Sequence, residues 1–378
     1  MKDCAVYIHV PFCARKCAYC DFESYAGRMD RADEYVARVR EEMQKAKAEY
    51  GLLGVPSVYI GGGTPSLLNI RQLSSLFRGI EENFSLKSDA EISMEANPGT
   101  VTRETLREIR RAGVNRLSFG AQAFQNGLLQ TLGRIHRWKD VENAAEWAQD
   151  AGISNYNIDL MYALPGQSAE DFEETLENTL RLVPKHISCY SLILEAGTPL
   201  AARAERGEIS VPDDDAAIGM QRLAQRMTGA RGFERYEISN YALPGFECRH
   251  NVAYWTRKDY LGLGCAAHSF VNGERFSNPS FDVYMRGEGR ENAEFVSREG
   301  AMEETVMLET RMTRGLSLAE FQSGFGKESA DALLDGAKSL ARLGLARVEN
   351  GFLFLTDEGL DVQNAAVLTL VSALNRGK

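Results

Sequence analysis

Three cysteines near the amino end of the sequence are the residues with the clearest capacity for chemistry. Cys13, Cys17 and Cys20 follow the spacing Cys-x3-Cys-x2-Cys, so one short loop can present three thiolates on one side. Cysteine thiolates are the usual ligands of iron–sulfur clusters. A cubane cluster has four irons, so three protein ligands leave one iron open to a substrate or cofactor. An open metal position also distinguishes catalytic zinc sites from closed structural ones.

A zinc site, a disulfide or ordinary core packing could also account for these cysteines. Zinc needs a fourth ligand, and His9 is the histidine that lies close in sequence. It falls on a predicted strand that directs its side chain away from the loop, so we favour an iron–sulfur cluster. The remaining cysteines are scattered, and we interpret each as packing in the core or in a loop: Cys4, Cys189, Cys248 and Cys265.

Length and composition describe an ordinary globular protein with more than one domain. The 378 residues exceed what one hydrophobic core usually supports, and the apolar content of 44% is typical of soluble chains. The net charge of -10 argues against nucleic-acid binding, which needs a basic surface. The sequence has no apolar run long enough to span a membrane and no secretory leader at its start. We therefore expect a cytosolic protein, in which cysteines stay reduced.

The elements that must position the cysteines alternate between strands and helices. Apolar runs predict six strands, at 5–10, 55–60, 90–95, 116–120, 155–160 and 186–193. Amphipathic helices separate them, and this alternation predicts parallel pairing through right-handed crossovers. The count is below the eight strands of a closed barrel. We therefore predict an α/β fold with a partial (β/α)6 barrel.

Unusual residues follow several of these strands. Glycines 61–63 come directly after the second strand and allow the backbone to approach a ligand closely. Glu95, Gln122 and Asp159 end other strands or begin the next loops. Each alone is weak evidence, because a glycine turn or a capping carboxylate is common. Since ligands gather at the carboxyl ends of parallel strands, the set predicts one shared site.

Together these motifs resemble the radical S-adenosylmethionine (SAM) superfamily. Its signature is Cys-x3-Cys-x2-Cys with an aromatic residue before the last cysteine, which is Tyr19 here. The resemblance implies the partial barrel, a [4Fe–4S] cluster and SAM chelated at the open iron. In that superfamily one electron from the cluster splits SAM and releases a deoxyadenosyl radical, so the cofactor carries the chemistry.

The resemblance narrows to the oxygen-independent coproporphyrinogen III oxidase-like (HemN/HemW) branch and covers nearly the whole sequence. Its marks are Tyr-Ile-His-Val-Pro-Phe-Cys at 7–13, Gly-Gly-Gly-Thr-Pro-Ser at 61–66, Arg-Leu-Ser-Phe-Gly-Ala-Gln at 116–122 and Asn-Ile-Asp-Leu-Met-Tyr-Ala-Leu-Pro-Gly-Gln at 157–167. The resemblance implies a set of SAM-contacting residues: Tyr7, Gly62, Gly63, Thr64, Glu95, Gln122, Arg134 and Asp159. Glu95 and Asp159 carry more weight than Arg134, because an arginine flanking a helix is usually a solvated charge.

A second motif, His250-Asn-Val-Ala-Tyr254-Trp255, follows the predicted strands. Imidazole is a standard axial ligand of haem iron, and flat aromatic side chains suit a porphyrin face. His-Asn-x-x-Tyr-Trp is itself a mark of the branch and is linked to haem binding in its haem-chaperone members. A hydrogen-bonded loop histidine is the plain alternative. We interpret His250 as a candidate haem ligand, and we expect His268 to approach the adenosine side of the SAM cavity.

The last part of the sequence predicts a separate module. Helices are predicted at 302–312 and 317–325, and Ser329 is predicted to cap another that ends at 343–344. A hairpin follows at 346–355 around an Asn-Gly turn. The module resembles a winged helix, but its candidate helix is not basic, so a lid or docking role is favoured over DNA binding. The predicted domains are the radical SAM core 1–235, a connecting region 236–290 with the His-Asn-x-x-Tyr-Trp motif, and a HemN-type C-terminal domain 291–378.

Two functions fit this branch. One is an oxygen-independent coproporphyrinogen III dehydrogenase, which oxidatively decarboxylates propionate side chains. The other is a haem chaperone, which binds haem and delivers it to haem proteins. The family's dehydrogenases carry a further cysteine two residues after the last ligand, where this sequence has Phe22, and a long N-terminal extension before the first strand. Both differences favour the haem chaperone, and radical chemistry on another substrate is a third alternative.

Overall fold

The computed structural model describes residues 2–375, which form two compact units. The larger unit comprises the residues up to Glu234 together with Tyr241–His250 and Asp259–Glu294. The smaller unit comprises Arg235–Asn240, Asn251–Lys258 and the residues from Phe295 onward. The predicted connecting region 236–290 is thus divided, with most of it in the larger unit. The division falls inside the His-Asn-x-x-Tyr-Trp motif, directly after its histidine.

The strands are β1 (Ala5–Val10), β2 (Phe12–Cys13), β3 (Tyr25–Ala26), β4 (Gly54–Gly62), β5 (Ser85–Ala96), β6 (Arg116–Gln122), β7 (Tyr156–Tyr162), β8 (His186–Ser191), β9 (Glu234–Glu237), β10 (Asn240–Ala242), β11 (Tyr260–Leu263), β12 (His268–Val271), β13 (Glu274–Ser277), β14 (Glu291–Phe295), β15 (Leu316–Ser317), β16 (Ala346–Glu349) and β17 (Phe352–Leu355).

The α-helices are α1 (Ala32–Tyr50), α2 (Ile70–Asn83), α3 (Arg103–Arg111), α4 (Asn126–Thr131), α5 (Trp138–Asp150), α6 (Ala169–Arg181), α7 (Pro199–Glu205), α8 (Asp214–Gly229), α9 (Arg249–Trp255), α10 (Phe281–Met285), α11 (Arg298–Glu309), α12 (Leu318–Arg342), α13 (Asp357–Asp361) and α14 (Gln363–Asn375). Single 3-10 turns lie at Met29–Arg31, Pro65–Leu67 and Pro98–Thr100.

A parallel sheet organises the larger unit. Its strands β1, β4, β5, β6, β7 and β8 lie side by side in that order, and every neighbouring pair is parallel. These are the six strands that the sequence predicts, and helices α1 to α6 lie between them along the chain. The predicted α/β fold with a parallel sheet is confirmed. All six strands direct their carboxyl ends to one edge, where a shared site can form.

Side chains alternate between the two faces of this sheet. On one face, here called outward, the side chains belong to the hydrophobic core, among them Val6, Ile8, Val58, Ile60, Met94, Leu117, Phe119, Ile158 and Ile187. The inward positions are mostly polar: Tyr7, Tyr59, Ser93, Arg116, Ser118, Asn157, Asp159, His186 and Ser188. Each buried aliphatic side chain contributes roughly 1.5–3 kcal/mol, so the outward layer stabilises the sheet. On the inward face several polar side chains hydrogen-bond to one another around Asn157.

The sheet extends beyond the six predicted strands on the β1 side. Strand β11 pairs in parallel with β1, and β12 and β13 follow in antiparallel order. Helix α1 fixes this extension through Glu42, which accepts hydrogen bonds from the Gly264 amide (2.8 Å), the Tyr284 hydroxyl (2.7 Å) and the Asn278 amide (2.6 Å). These strands contain only short apolar runs, so the sequence alone predicts a connecting region here.

The smaller unit contains helices α11 to α14 and a small sheet in the order β15-β17-β16. The predicted hairpin is confirmed, since Glu349 pairs with Phe352 and the two turn residues Asn350 and Gly351 have φ of 51° and 81°. Helix α12 breaks at Gly326, where φ is 83°. The helix resumes at once, so Ser329 lies inside it and the predicted cap is wrong. No helix within residues 2–375 is long and apolar enough to cross a membrane.

Candidate functional site

The cysteine loop leaves the carboxyl end of β1 and is fastened at its base and its middle. At the base, β2 pairs with β3, so that Cys13 lies opposite Ala26. In the middle, the Ala18 amide donates to the Leu132 carbonyl (2.9 Å), and the Ala18 carbonyl accepts from the Leu200 amide (2.8 Å). Cys13 is buried, while Cys17 and Cys20 are partly exposed. The loop thus presents three thiols from a fixed backbone.

Hydrogen-bond donors lie beside the cysteine sulfurs. The Thr64 hydroxyl donates to Cys13 Sγ (3.7 Å), and Arg134 Nη1 lies 3.4 Å from Cys17 Sγ. Burial raises the pKa of the Cys13 and Cys20 thiols, and iron binding would displace those protons. Within residues 2–375 no three metal-binding side chains converge on a point as a single ion requires. A cubane does not need such convergence, because each cysteine binds a different iron.

His9 supports the cysteine loop and is not placed to bind a metal. Its Nε2 lies 2.7 Å from the Glu23 carbonyl, and its Nδ1 lies 3.0 Å from the Tyr7 hydroxyl. Burial lowers the pKa of His9, so the ring is neutral. Because a carbonyl only accepts, Nε2 carries the proton and Nδ1 accepts from Tyr7. Both nitrogens are occupied, and the ring ties the far end of the loop to β1.

The glycine turn after β4 packs directly against β1 and the cysteine loop. The Gly63 amide donates to the Val10 carbonyl (2.8 Å), and the Thr64 amide donates to the Phe12 carbonyl (2.7 Å). A Cβ at Gly63 would lie 2.6 Å from the Phe12 oxygen. Gly62 has φ of 110°, and a Cβ there would lie 2.5 Å from the His9 ring. Glycine is required here because the two backbones touch.

This contact makes a prediction for Gly63→Ala. The added methyl meets a backbone oxygen that no rotamer change can move, so the turn must shift away from the cysteine loop. We expect a loss of about 1–3 kcal/mol of unfolding free energy, as for other overpacked sites. Chemical denaturation measures it. The matched control is Gly127→Ala, in helix α4 with open space around it, which should be neutral or stabilising. Equal stability of the two variants would contradict the packing argument.

Glu95 ends β5 and faces the inside of the sheet. Its Oε1 accepts a hydrogen bond from the Tyr59 hydroxyl (3.0 Å), and its Oε2 accepts one from the Gly62 amide (3.0 Å). Burial and the nearby Asp159 raise the pKa of Glu95 to about 7. A carboxyl that is poised between its two forms near neutral pH gains from a cationic ligand.

Asp159 is the central residue of β7, where it lies opposite Gly120 of β6. Its carboxylate accepts hydrogen bonds from the Ser118 hydroxyl (2.8 Å) and the Asn157 amide (2.7 Å). Burial outweighs these bonds and raises the pKa of Asp159. Two carboxylates in one enclosed space repel each other when both ionise, so the pair also favours a ligand that brings positive charge.

Gln122 and Arg134 carry buried polar atoms that nothing in the described residues satisfies. Gln122 follows an irregularity in β6 and has φ of 60°, and Arg134 Nη2 donates to the Gly120 carbonyl (2.7 Å). The Gln122 Oε1 and Arg134 Nε atoms are buried without a hydrogen-bond partner in residues 2–375. Each such atom costs about 1–3 kcal/mol. Arg134 contacts Cys17, so its unsatisfied Nε belongs to a side chain that borders the cysteine loop.

The structure brings most of the predicted site residues to one edge of the sheet. The cysteines, the 62–64 turn, Glu95, Gln122 and Arg134 lie near the carboxyl ends of β1 and β4 to β6. Asp159 lies inside β7, opposite Gly120 of β6. Tyr7 lies farther from this edge of the sheet, on the inward face of β1, where it is paired with Tyr59 of β4. The sequence reasoning missed Tyr59 and His9 as supports. The signal was present in the alternation of polar residues along β4 and β1.

The two histidines predicted beyond the main site differ in their surroundings. His250 is 1% exposed, its Nδ1 lies 3.1 Å from the Ser57 hydroxyl, and its ring stacks on Tyr59. Burial lowers the pKa of His250 to about 3, and the Arg116 charge adds to the effect. His268 is exposed on β12, where it pairs with Ser277. No hydrogen bond within the described residues connects His268 with the strand-end site.

Comparisons with protein families match this architecture. A model of the radical SAM superfamily matches residues 7–178, and a model of the HemN C-terminal domain matches residues 296–362. Among solved structures, coproporphyrinogen III oxidase (HemN) from Escherichia coli superposes with a TM-score of 0.83, over 99% of this chain and 90% of that one, at 23% identity. At that identity the likeness shows the shared fold.

Curated relatives are closer in sequence. The chain is 36% identical to the heme chaperone HemW of Bacillus subtilis (strain 168), over 94% of this chain and 96% of that protein. It is 34% identical to the heme chaperone HemW of Lactococcus lactis subsp. lactis (strain IL1403), over 96% of each. For the heme chaperone HemW of Escherichia coli (strain K12) the identity is 40%, over 71% of this chain and 70% of that protein.

Proposed function

The chain belongs to the radical SAM superfamily, in the family of the HemW proteins, and we propose that it is a haem chaperone, which binds haem and delivers it to haem proteins. Membership of the superfamily implies a [4Fe–4S] cluster and SAM. The observation that carries the proposal is the alignment along almost the full length of relatives named heme chaperone HemW.

The residues at the strand ends fit both cofactors. In the proposal Cys13, Cys17 and Cys20 hold the cluster. SAM is held by Tyr7, Gly62, Gly63, Thr64, Glu95, Gln122, Arg134 and Asp159. Three observations support this fit: the unsatisfied buried atoms of Gln122 and Arg134, the glycine turn in which any added side chain would clash, and the neighbouring carboxylates of Glu95 and Asp159. When bound, SAM supplies a cationic sulfonium and one-electron chemistry at the cluster. The chain's own residues orient it and limit access of water.

The residue at position 22, Phe22, supports the haem chaperone over a coproporphyrinogen III dehydrogenase. It stands where the family's dehydrogenases carry a cysteine, and its side chain is 59% exposed beside the cluster loop. A propionate that is to lose hydrogen must be held close to the reacting group, and misplacement by about 1 Å can lower the rate roughly a hundredfold. The chain offers no thiol at this position to assist that step.

Either His250 or His268 is the candidate axial ligand of the haem iron. The motif suggests His250, but its burial means that the start of α9 would have to leave Ser57 and Tyr59 before iron could reach the ring. Of the five histidines in the sequence, His9, His136, His186 and His250 are at most 6% exposed. His268 is exposed and can offer its imidazole without such a movement.

Haem titration tests the proposal. We expect the wild-type protein to bind haem with a Soret band that differs from free haem, because an imidazole enters the iron coordination. His250→Ala and His268→Ala are compared at equal protein concentration. A shifted or weakened Soret band identifies the variant that has lost the axial ligand. Unchanged spectra in both variants would show that neither His250 nor His268 is the axial ligand.

The same preparation tests the alternative function. Under anaerobic reducing conditions with SAM, we expect no multiple-turnover conversion of coproporphyrinogen III to protoporphyrinogen IX. An E. coli HemN sample serves as the positive control for the assay. Sustained turnover by this chain would place it with the dehydrogenases. Absence of both turnover and haem binding would refute the chaperone proposal.

A further inference from the structure

We propose that His250 is a positioning residue for Glu95 and acts through Tyr59. The inference rests on the proposed function, in which Glu95 contacts SAM. The His250 and Tyr59 rings stack with centroids 5.3 Å apart and planes 29° apart. The Tyr59 hydroxyl in turn donates to Glu95 Oε1 at 3.0 Å. One continuous contact path therefore leads from the His-Asn-x-x-Tyr-Trp motif to a carboxylate of the SAM site.

His250 is itself held firmly. Its Nδ1 lies 3.1 Å from the hydroxyl of Ser57, which shares the inward face of β4 with Tyr59 two residues later. The preceding residue is also tied down, because the Arg249 amide donates to Glu91 Oε1 on β5 (3.1 Å). The ring is thus anchored on β4, and the backbone just before it is anchored on β5. A ring fixed in this way can hold the phenol of Tyr59 in one orientation.

The Tyr59 phenol needs that support because its hydroxyl has a directional task. A buried tyrosine ring can satisfy a carboxylate only when the O–H points at an oxygen lone pair. Glu95 Oε2 is already fixed by the Gly62 amide, so Tyr59 determines the position of the other oxygen. If the stacked ring is removed, Tyr59 gains room to tilt, and Glu95 loses the bond that orients it.

The same histidine ring also lies near Tyr7, with centroids 6.3 Å apart. Tyr7 donates to His9, which holds the end of the cysteine loop. That second path contains a looser ring contact than the first and ends at a backbone carbonyl. We therefore expect a change at His250 to weaken SAM binding more than it weakens retention of the cluster.

The test compares SAM affinity among three single variants with reconstituted clusters. Tyr59→Phe removes the hydroxyl, and SAM should bind about tenfold more weakly, as for a lost hydrogen bond to a charged group. His250→Phe keeps a stacked ring and loses the contact with Ser57, and its affinity should stay near that of the wild type. His250→Asn keeps a polar group toward Ser57 and loses the ring. It should bind SAM about three- to tenfold more weakly.

A double variant shows whether His250 acts through Tyr59. If it does, His250→Asn combined with Tyr59→Phe should bind SAM no more weakly than Tyr59→Phe alone, because the same bond is already lost. Affinity is read from the change in the cluster EPR spectrum during anaerobic SAM titration, at equal iron content. Thermal melting of each variant identifies any that do not fold.

The outcomes separate this inference from the proposed function. Additive losses in the double variant would overturn it, as would a His250→Asn variant with wild-type affinity. If His250→Asn does not fold, His250→Phe decides, because binding as weak as in Tyr59→Phe would overturn the role of the ring. A wild-type spectrum that does not respond to saturating SAM would instead refute the proposed SAM site.

Discussion

Replacing Cys13, Cys17 or Cys20 by alanine is expected to abolish the [4Fe–4S] cluster. The three thiols belong to one loop whose base and middle are hydrogen-bonded to the rest of the larger unit. His9, the histidine nearest to the cysteines in sequence, cannot replace a lost ligand, because both of its ring nitrogens are occupied. A cubane held by two cysteines exposes two irons and is lost to solvent and oxygen. We therefore expect a complete loss and not a graded one.

The measurement is anaerobic reconstitution with iron and sulfide, followed by visible absorption and iron analysis. Cys4→Ala is the matched control. Cys4 is 1% exposed, and burial raises the pKa of its thiol to about 12, so it stays protonated and unavailable to iron. This control should retain full cluster absorption. Four irons and four sulfides retained in any of the three ligand variants would show that the assignment of ligands is wrong.

The parallel sheet and the cysteine loop were accessible from the sequence for a simple physical reason. Strands buried on their outward face need continuous or alternating apolar residues, and strand β1 shows this from Ala5 to Val10. Some helix starts also follow from residue type, since Thr102 and Asp213 cap α3 and α8, whereas the cap predicted at Ser329 is wrong. Local chemistry determines such features, so local sequence can reveal them.

Features that depend on distant partners were not accessible. Strand β11 is four residues long and becomes a strand because it pairs with β1, more than two hundred positions earlier in the chain. His250 sits in a motif that suggests a ligand, and its burial against Ser57 and Tyr59 appears only when β4 is in place. The expectation of a solvated charge at Arg134 was wrong for the same reason, since its contacts with Cys17 and Gly120 form only in the folded chain.

Affinity for SAM is expected to rise with pH between 6 and 8, because Glu95 must lose a proton to bind a cation. Burial and the charge of Asp159 raise the pKa of Glu95 to about 7 in the cofactor-free protein. Well below that value the group is neutral, and binding a cationic group then releases a proton. Affinity should therefore fall about tenfold for each pH unit below 7 and level off above 8.

The other groups around Glu95 do not reverse this direction. Tyr59 and the Gly62 amide donate to the carboxylate and remain protonated throughout the range. The pKa of Asp159 is raised as well, chiefly by burial, so any titration of this group works in the same sense. Arg116, which lies close enough to lower the pKa of Asp159, keeps its charge. The pH dependence thus reports the carboxylate pair.

Glu95→Gln separates the members of the pair. The amide cannot ionise, so SAM should bind more weakly at pH 8 and with little dependence on pH, while the cluster absorption stays unchanged. Glu81→Gln, on the exposed face of α2, is the control and should keep the wild-type profile. If Glu95→Gln kept the wild-type slope, the titrating group would be Asp159, and the cationic part of SAM would lie nearer β7 than β5. A wild-type affinity independent of pH would mean that Glu95 does not bind the cation, because a buried acid with a pKa near 7 cannot do so without releasing its proton.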